Sequence, residues 1–353
     1  MLYFLDGEKG GNLSVRKNDK VAQVAGTIPV IIVTGFLGSG KTTVLRYLLR
    51  QPEFKKSALI INEVGEIGID QLLFEEGQNA PILLAGGCIC CALVEDVGYT
   101  LRDLFERRKH GLVPEFQRVV IETTGLANPG GLVRRLLTDG WIAQHFSLGA
   151  VIAVADATNV VSTLTIAPEA AVQLALADRA ILSKADLVDP DTLADAEACL
   201  CGINATLAIA TADHGQVAPD FVLAPGHAQS LLGDATGTGH AHAHLAGVAS
   251  TTLSITEPLA WGRAAEALDA MVAIRGTRLL RLKGILNIVG SQRPILINAV
   301  QGVFHPPEQL AAWPDANRNS RIVIIVQDLD PDDIAHEVRA ALATRSDSMS
   351  LTK

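Results

Sequence analysis

From residue 28 onward, short β-branched runs that are apolar at nearly every position alternate with longer segments of helical periodicity. The runs fall at 28–34, 58–62, 118–123, 150–156, 179–184 and 205–211. Strands that are apolar on both faces belong in the middle of a parallel sheet covered by helices on each side. Between them, 42–50 and 96–108 read as amphipathic helices, and a further short apolar run, 81–85, precedes a helix starting near Ala92. Strand, helix, strand in this order predicts a doubly wound, mostly parallel α/β sheet.

The pattern breaks between Ala212 and Gly247, where Gly, Ala, His and Pro dominate and Gly233–Gly247 reads GDATGTGHAHAHLAG. Such a composition marks a linker. Beyond it come a strand (250–255), a helix (259–273), a hairpin (279–304), a strand (321–327) and a closing helix (330–343). The expected organisation is therefore an extension at 1–27, an α/β domain at 28–212, a linker at 213–247, a smaller α+β domain at 248–345 and a tail at 346–353.

Composition narrows the function classes. The chain has 353 residues, 48% of them hydrophobic, and a net charge of −9. That supports a sizeable core, and without a basic run it argues against a nucleic-acid or membrane partner. No segment approaches the roughly 18 unbroken apolar residues of a membrane helix, and the first twenty residues lack the pattern of a secretory signal. Five cysteines, an odd number in two clusters, do not suggest a disulfide framework. A reducing cytoplasm is the expected compartment, where clustered thiols point to metal or redox chemistry.

Gly35-Phe36-Leu37-Gly38-Ser39-Gly40-Lys41-Thr42 fits G-x-x-x-x-G-K-[ST] and lies between a predicted strand and a predicted helix. Such a loop turns its backbone N–H groups onto phosphates, with the helix N-terminus behind them. Lys41 is expected to reach the β- and γ-phosphates, Thr42 to ligate Mg²⁺, and Thr43 to complete the loop. Glu122, ending the third run, is the candidate second group for Mg²⁺, and Gly125 would offer a backbone N–H near the γ-phosphate. Ser183-Lys184-Ala185-Asp186 follows another strand. There Asp186 would accept from the guanine edge and the Lys184 stem would cover the ring. Ser183 stands where such motifs carry Asn, which weakens GTP-over-ATP selectivity.

Cys88, Cys90 and Cys91, in GGCICC, concentrate three of the five thiols within four residues. A thiol near a helix N-terminus has a lowered pKa and favours the metal-binding thiolate. Three thiolates suit Zn²⁺, yet a closed structural zinc site takes four ligands, so the site reads as open and exchangeable. His240, His242 and His244 alternate, so in an extended chain they share one side and could collect Zn²⁺, Ni²⁺ or Co²⁺. Cys199 and Cys201 are expected to pack inside the α/β domain.

Taken in order, GFLGSGKTT (35–43), INEVGEIGID (61–70), GGCICC (86–91), IETTGLANP (121–129) and SKADL (183–187) resemble the CobW-type P-loop GTPases associated with metal trafficking. RLKGILN (281–287) and QGVFH (301–305) are similar to that family's second domain. The resemblance implies a switch segment at 62–70, with Glu66 as a further ligand beside the three cysteines and Glu63 near Mg²⁺ or the attacking water. It also implies a His-rich loading loop at 240–244. Lys283 and His305 match motif positions and read as structural.

The sequence thus leads to the expectation of a Mg²⁺-dependent GTPase of slow intrinsic turnover. It would bind Zn²⁺, or Co²⁺, Ni²⁺ or Fe²⁺, and deliver it to a client metalloprotein, with the C-terminal domain as the docking unit and a homodimer as one assembly. Three other readings stay open at this point. One is an accessory GTPase maturing a cobalt, nickel or iron enzyme or serving a cobalamin pathway. Another is a nucleotide switch with structural cysteines, and the last is a small-molecule P-loop kinase.

Overall fold

The computed structural model describes residues 26–61, 82–85, 93–224 and 246–343. The first unit is a seven-stranded sheet in the order β3-β2-β4-β1-β5-β6-β7. Its strands are β1 (Ile28–Thr34), β2 (Ser57–Ile61), β3 (Ile82–Ala85), β4 (Arg118–Glu122), β5 (Phe146–Asp156), β6 (Arg179–Ser183) and β7 (Ala208–Ala212). Every pairing is parallel, so all strand C-termini, and the loops that follow them, share one edge. Burial is near-complete along β1, β2, β4 and β6, as the unbroken apolar runs require.

Helices cover both faces: α1 (Lys41–Leu49), α2 (Leu93–Lys109), α3 (Gly130–Thr138), α4 (Gly140–His145), α5 (Val160–Ile166), α6 (Pro168–Leu176), α7 (Pro190–Ile203) and α8 (Pro219–Leu223). The α1 residues Val44, Leu45 and Leu48 pack with Ile31, Val33, Ile152 and Ile181 on one face. On the other face Leu101, Val133, Ala171 and Leu200 meet Val30, Ile32 and Val151.

Three local expectations needed correction. β5 begins four residues before the expected run, because Phe146–Leu148 already pairs with β1 and the extra residue Gly149 is absorbed as a bulge between Val30 and Ile31. β7 begins at Ala208, not 205, since Asn204 folds back to cap the chain: its Oδ1 accepts from Thr206 N and its Nδ2 donates to the Leu174, Ala175 and Ala177 carbonyls. Cys199 is partly buried against the core, but Cys201 is exposed, because it lies two positions further round α7, on the outer face.

The second unit contains β8 (Val248–Ile255), α9 (Trp261–Arg275), β9 (Leu279–Leu286), β10 (Ile295–Val300), β11 (Val303–Phe304), β12 (Glu308–Gln309), β13 (Ser320–Gln327) and α10 (Pro331–Ala343). Its strands form an antiparallel sheet in the order β11-β10-β9-β13-β8, with β12 on β10. One face packs on α9 and α10 through Leu253, Leu282, Ile297, Ile322 and Ile324 against Ala264, Leu268 and Val338. The opposite face contributes Leu280, Val300, Val323 and Ile325 to the core of the first unit.

Polar contacts at this junction are buried. Arg281 donates to Asp178 and, at 2.8 Å, to the Leu176 carbonyl at the end of α6. Asp178 also accepts from Val151 N at 2.9 Å. Lys283, 0% exposed, lies beside them, and burial, followed by the charge of Arg281, pushes its ammonium down to about 7 against the pull of Asp178. Lys283 is therefore an interdomain residue as well as a hairpin residue. His305 follows β11, where its backbone N donates to the Asn298 carbonyl.

Candidate functional site

The phosphate loop, Glu122 and the 183–186 turn converge at the C-terminal edge of the parallel sheet. Gly35, Gly38 and Gly40 have φ of 142°, 72° and 86°, backbone that L side chains rarely adopt. At Gly35 a Cβ would stand 2.1 Å from the Val154 carbonyl, so the loop leaves β1 by crossing the β5 backbone at contact distance. At Gly38 a Cβ would meet nothing within 4 Å among the described residues, on the outer side of the loop.

Lys41 Nζ donates to the carbonyls of Gly35 (2.7 Å) and Phe36 (3.0 Å), so its ammonium is curled back inside the loop. Thr42 Oγ1 donates to Glu122 Oε1 at 2.9 Å, joining residues 80 positions apart. A hydroxyl and a buried carboxylate behind a phosphate loop are hard oxygen donors, and they fit Mg²⁺. Gly125 lies against the loop itself: a Cβ there would be 2.8 Å from Leu37 N and 2.9 Å from its Cα.

Ser183 does not face outward as a base-reading residue. Its hydroxyl is buried and donates to the Ser39 carbonyl at 2.6 Å, which ties the phosphate loop to the end of β6. Lys184 adopts the left-handed region (φ 57°), and its Nζ pairs with Asp156 Oδ2 at 2.5 Å. Asp156 is a residue that motif spacing did not identify. Burial raises its pKa, but hydrogen bonds from Lys184, Thr158 and Asn159 outweigh this and hold the carboxyl below the usual range. The visible signal was a strand ending in Asp next to the strand that ends in Ser-Lys.

Asp186 Oδ1 accepts from His214 N at 3.5 Å, and His214 Nδ1 approaches Asp186 Oδ2 at 3.5 Å. The neighbouring Asp213, then Asp186, raises the His214 pKa. At the next residue, Gly215 (φ 81°), a Cβ would stand 2.8 Å from Thr43 Cγ2 and 2.9 Å from the Thr43 carbonyl, so this turn rests on the start of α1. The exposed trio Asp186, Asp213 and His214 thus lies beside the start of α1, next to the phosphate loop. A cavity of about 460 Å³ runs beside the loop between Gly35–Ser39, the end of β5, α5, α6 and Lys184.

The expected transition-metal residues Glu66, Cys88, Cys90, Cys91, His240, His242 and His244, together with Glu63, lie outside the described residues. The strand leading to the cysteines is described. Ala85 ends β3 level with Ile61 on β2, which is itself level with Glu122 on β4. At an interstrand spacing of about 4.8 Å, the chain leaves for Gly86-Gly87-Cys88 about 10 Å from the strand end bearing Glu122.

Known proteins share this arrangement. Residues 29–211 match the family described as "CobW/HypB/UreG, nucleotide-binding domain", and 248–342 match "Cobalamin synthesis protein cobW C-terminal domain". The chain is 32% identical to "Zinc chaperone CobW" of Pseudomonas aeruginosa over 90% of its own length and 92% of the relative's. It is 30% identical to "Zinc chaperone YjiA" of Escherichia coli over 90% and 98%. Among solved structures, Zn(II)-bound YjiA GTPase from E. coli superposes with a TM-score of 0.65 at 25% identity, covering 90% of this chain and 99% of that one. With both matches falling on the two units in chain order, and the phosphate loop, Glu122 and the tethering serine at one sheet edge, the chain belongs to the CobW/HypB/UreG family.

Proposed function

We propose that this chain is a GTP-hydrolysing zinc chaperone, which loads Zn²⁺ at Cys88, Cys90 and Cys91 with Glu66 and passes it to a client metalloprotein. The observation that carries the reading is the level placement of Ala85 and Glu122 on one sheet edge. A metal loop entered from Ala85 and a phosphate site closed by Glu122 are then near enough for one to feel the other. The relatives named zinc chaperones, and the YjiA GTPase solved with Zn(II), support the choice of metal and of nucleotide.

In hydrolysis Lys41 would exchange the Gly35 and Phe36 carbonyls for phosphate oxygens. Thr42 and Glu122 would hold Mg²⁺, which neutralises charge on the β- and γ-phosphates when bound. Asp186 would accept from the guanine edge with Lys184 beside it, while Ser183 fixes the loop. Intrinsic turnover would be slow. His240, His242 and His244 would serve as an accessory loading segment, the 248–345 unit as the client-facing one, and a homodimer as one possible assembly.

The test is Zn²⁺ affinity, measured by chelator competition with Mg²⁺ and a non-hydrolysable GTP analogue or with Mg²⁺ and GDP. Tighter binding in the triphosphate state, lost in Cys90→Ala, is the expected result. By linkage the same factor must appear in GTP affinity with and without Zn²⁺. Equal Zn²⁺ affinities in the two nucleotide states would end the delivery reading and leave the GTPase reading standing.

A further inference from the structure

The segment after Glu122 is gripped by a side chain that phosphate-loop logic does not invoke. Gln173, in the middle of α6 and 1% exposed, donates from Nε2 to the Gly125 carbonyl (3.1 Å) and to the Ala127 carbonyl (2.9 Å). Both partners are acceptors, so the orientation of the amide is fixed by the contacts themselves. The gripped segment is the one whose Gly125 lies against Leu37 of the phosphate loop at sub-3 Å spacing for any added Cβ. Gln173 also lines the cavity whose opposite wall is Gly35–Ser39. Its Oε1 is buried and has no hydrogen-bond partner among the described residues.

A buried amide that uses both donor hydrogens on one short loop, across 46 and 48 residues of sequence, fixes that loop's height above the sheet. With the site read as a GTP site, the Gly125 N–H of this loop would meet the γ-phosphate, a contact that a diphosphate lacks. We infer that Gln173 is a positioning residue that sets the preference of the site for nucleoside triphosphate over diphosphate. The inference rests on the reading of the site as a GTP site. It assigns to α6 a role in the reaction that neither the motifs nor the relatives' names carry.

The test is Gln173→Met in the full chain, a change of similar volume that removes both donors. The affinities of Mg²⁺–GDP and of a Mg²⁺-bound non-hydrolysable GTP analogue are measured with kcat and KM. GDP affinity should stay within about twofold of wild type, because Lys41, Thr42, Ser183 and Asp186 are untouched, while analogue affinity and kcat each fall at least about tenfold. Gln173→Glu, which also lacks the two donors, should behave in the same way. An unchanged analogue-to-GDP ratio overturns the inference whatever happens to melting temperature, as does a Glu variant with wild-type behaviour. If both variants fail to fold, amide exchange of 124–128 in the wild type decides. Slower exchange with analogue than with GDP is expected, and identical exchange overturns the inference. A wild type that binds neither guanine nucleotide would instead sink the reading of the site.

Discussion

Replacing Lys283 by Met should stabilise the protein at neutral pH and flatten part of its stability profile. Lys283 is fully buried between the two units, with Arg281, Arg179 and Asp178 as its charged neighbours, and its pKa falls from 10.5 to about 7. A depressed base favours the neutral form in the fold, so between about 7 and 10.5 the unfolded chain holds a proton that the folded chain has released. Stability must then rise with pH through that window, by up to about 1.4 kcal/mol per pH unit from this group. Below about 7 the full cost of the buried charge applies, and above 10.5 none of it does. The displacement corresponds to several kcal/mol at most. Met keeps the apolar stem and its volume while removing the charge, so at neutral pH it relieves most of that displacement. The assay is urea denaturation of both proteins between pH 7.5 and 9.0, followed by tryptophan fluorescence. The advantage of Lys283→Met should shrink by about 2 kcal/mol across that range, since groups common to both proteins cancel. Parallel profiles would refute the reasoning. So would a Met variant weaker by several kcal/mol at pH 7, which would mean that Lys283 is charged and held by Asp178.

Other perturbations act on the site. Gly35→Ala would force a Cβ to within 2.1 Å of the Val154 carbonyl, so nucleotide affinity should fall by more than tenfold and the melting temperature should drop. Ser183→Ala removes the 2.6 Å tether to the Ser39 carbonyl, at about 1 kcal/mol. Affinity for GTP and ATP should fall together by about fivefold, whereas Asp186→Ala should erase the preference between them; equilibrium titration with both nucleotides separates the two cases. Thr42→Val deletes the hydroxyl that meets Glu122 at 2.9 Å and should abolish the gain in nucleotide affinity on adding Mg²⁺, read by titration with and without chelator. Arg281→Met would leave Asp178 buried without its guanidinium and should cost about 3–5 kcal/mol in denaturant unfolding.

Legibility in the sequence followed the range of the interactions. The phosphate loop could be read because its constraint is local: three glycines in conformations other residues avoid, with a lysine and a threonine at fixed offsets. Glu122 could be read from its place at the end of an apolar run. Gln173 and Asp156 could not be recognised, because their partners lie 46 and 28 residues away and only the sheet order brings them together. Ser183 occupies the expected position but acts on the loop rather than the base, a difference of side-chain direction that spacing does not encode. Lys283 and Arg281 sit in a hairpin that any pattern would leave half wet. They are buried only because a second unit covers that face, a long-range fact invisible to periodicity. The start of β5 was missed for a related reason, since a single glycine bulge kept Phe146–Leu148 in register with β1.

The shared core also fixes how the molecule can be cut and approached. Because Leu280, Val300, Val323 and Ile325 complete the core of the first unit, ending the chain at 224 would strip one wall from the nucleotide unit and leave it oily. The two units should melt in one transition, and neither should survive expression alone. The second unit presents no bare sheet face among the described residues: α9 and α10 occupy one face and the nucleotide unit occupies the other. A macromolecule docking there would meet the outer sides of those two helices, the strand-end loops or the edge strand β8, so helix-surface charge reversals and substitutions along β8 are the place to begin a search for whatever docks.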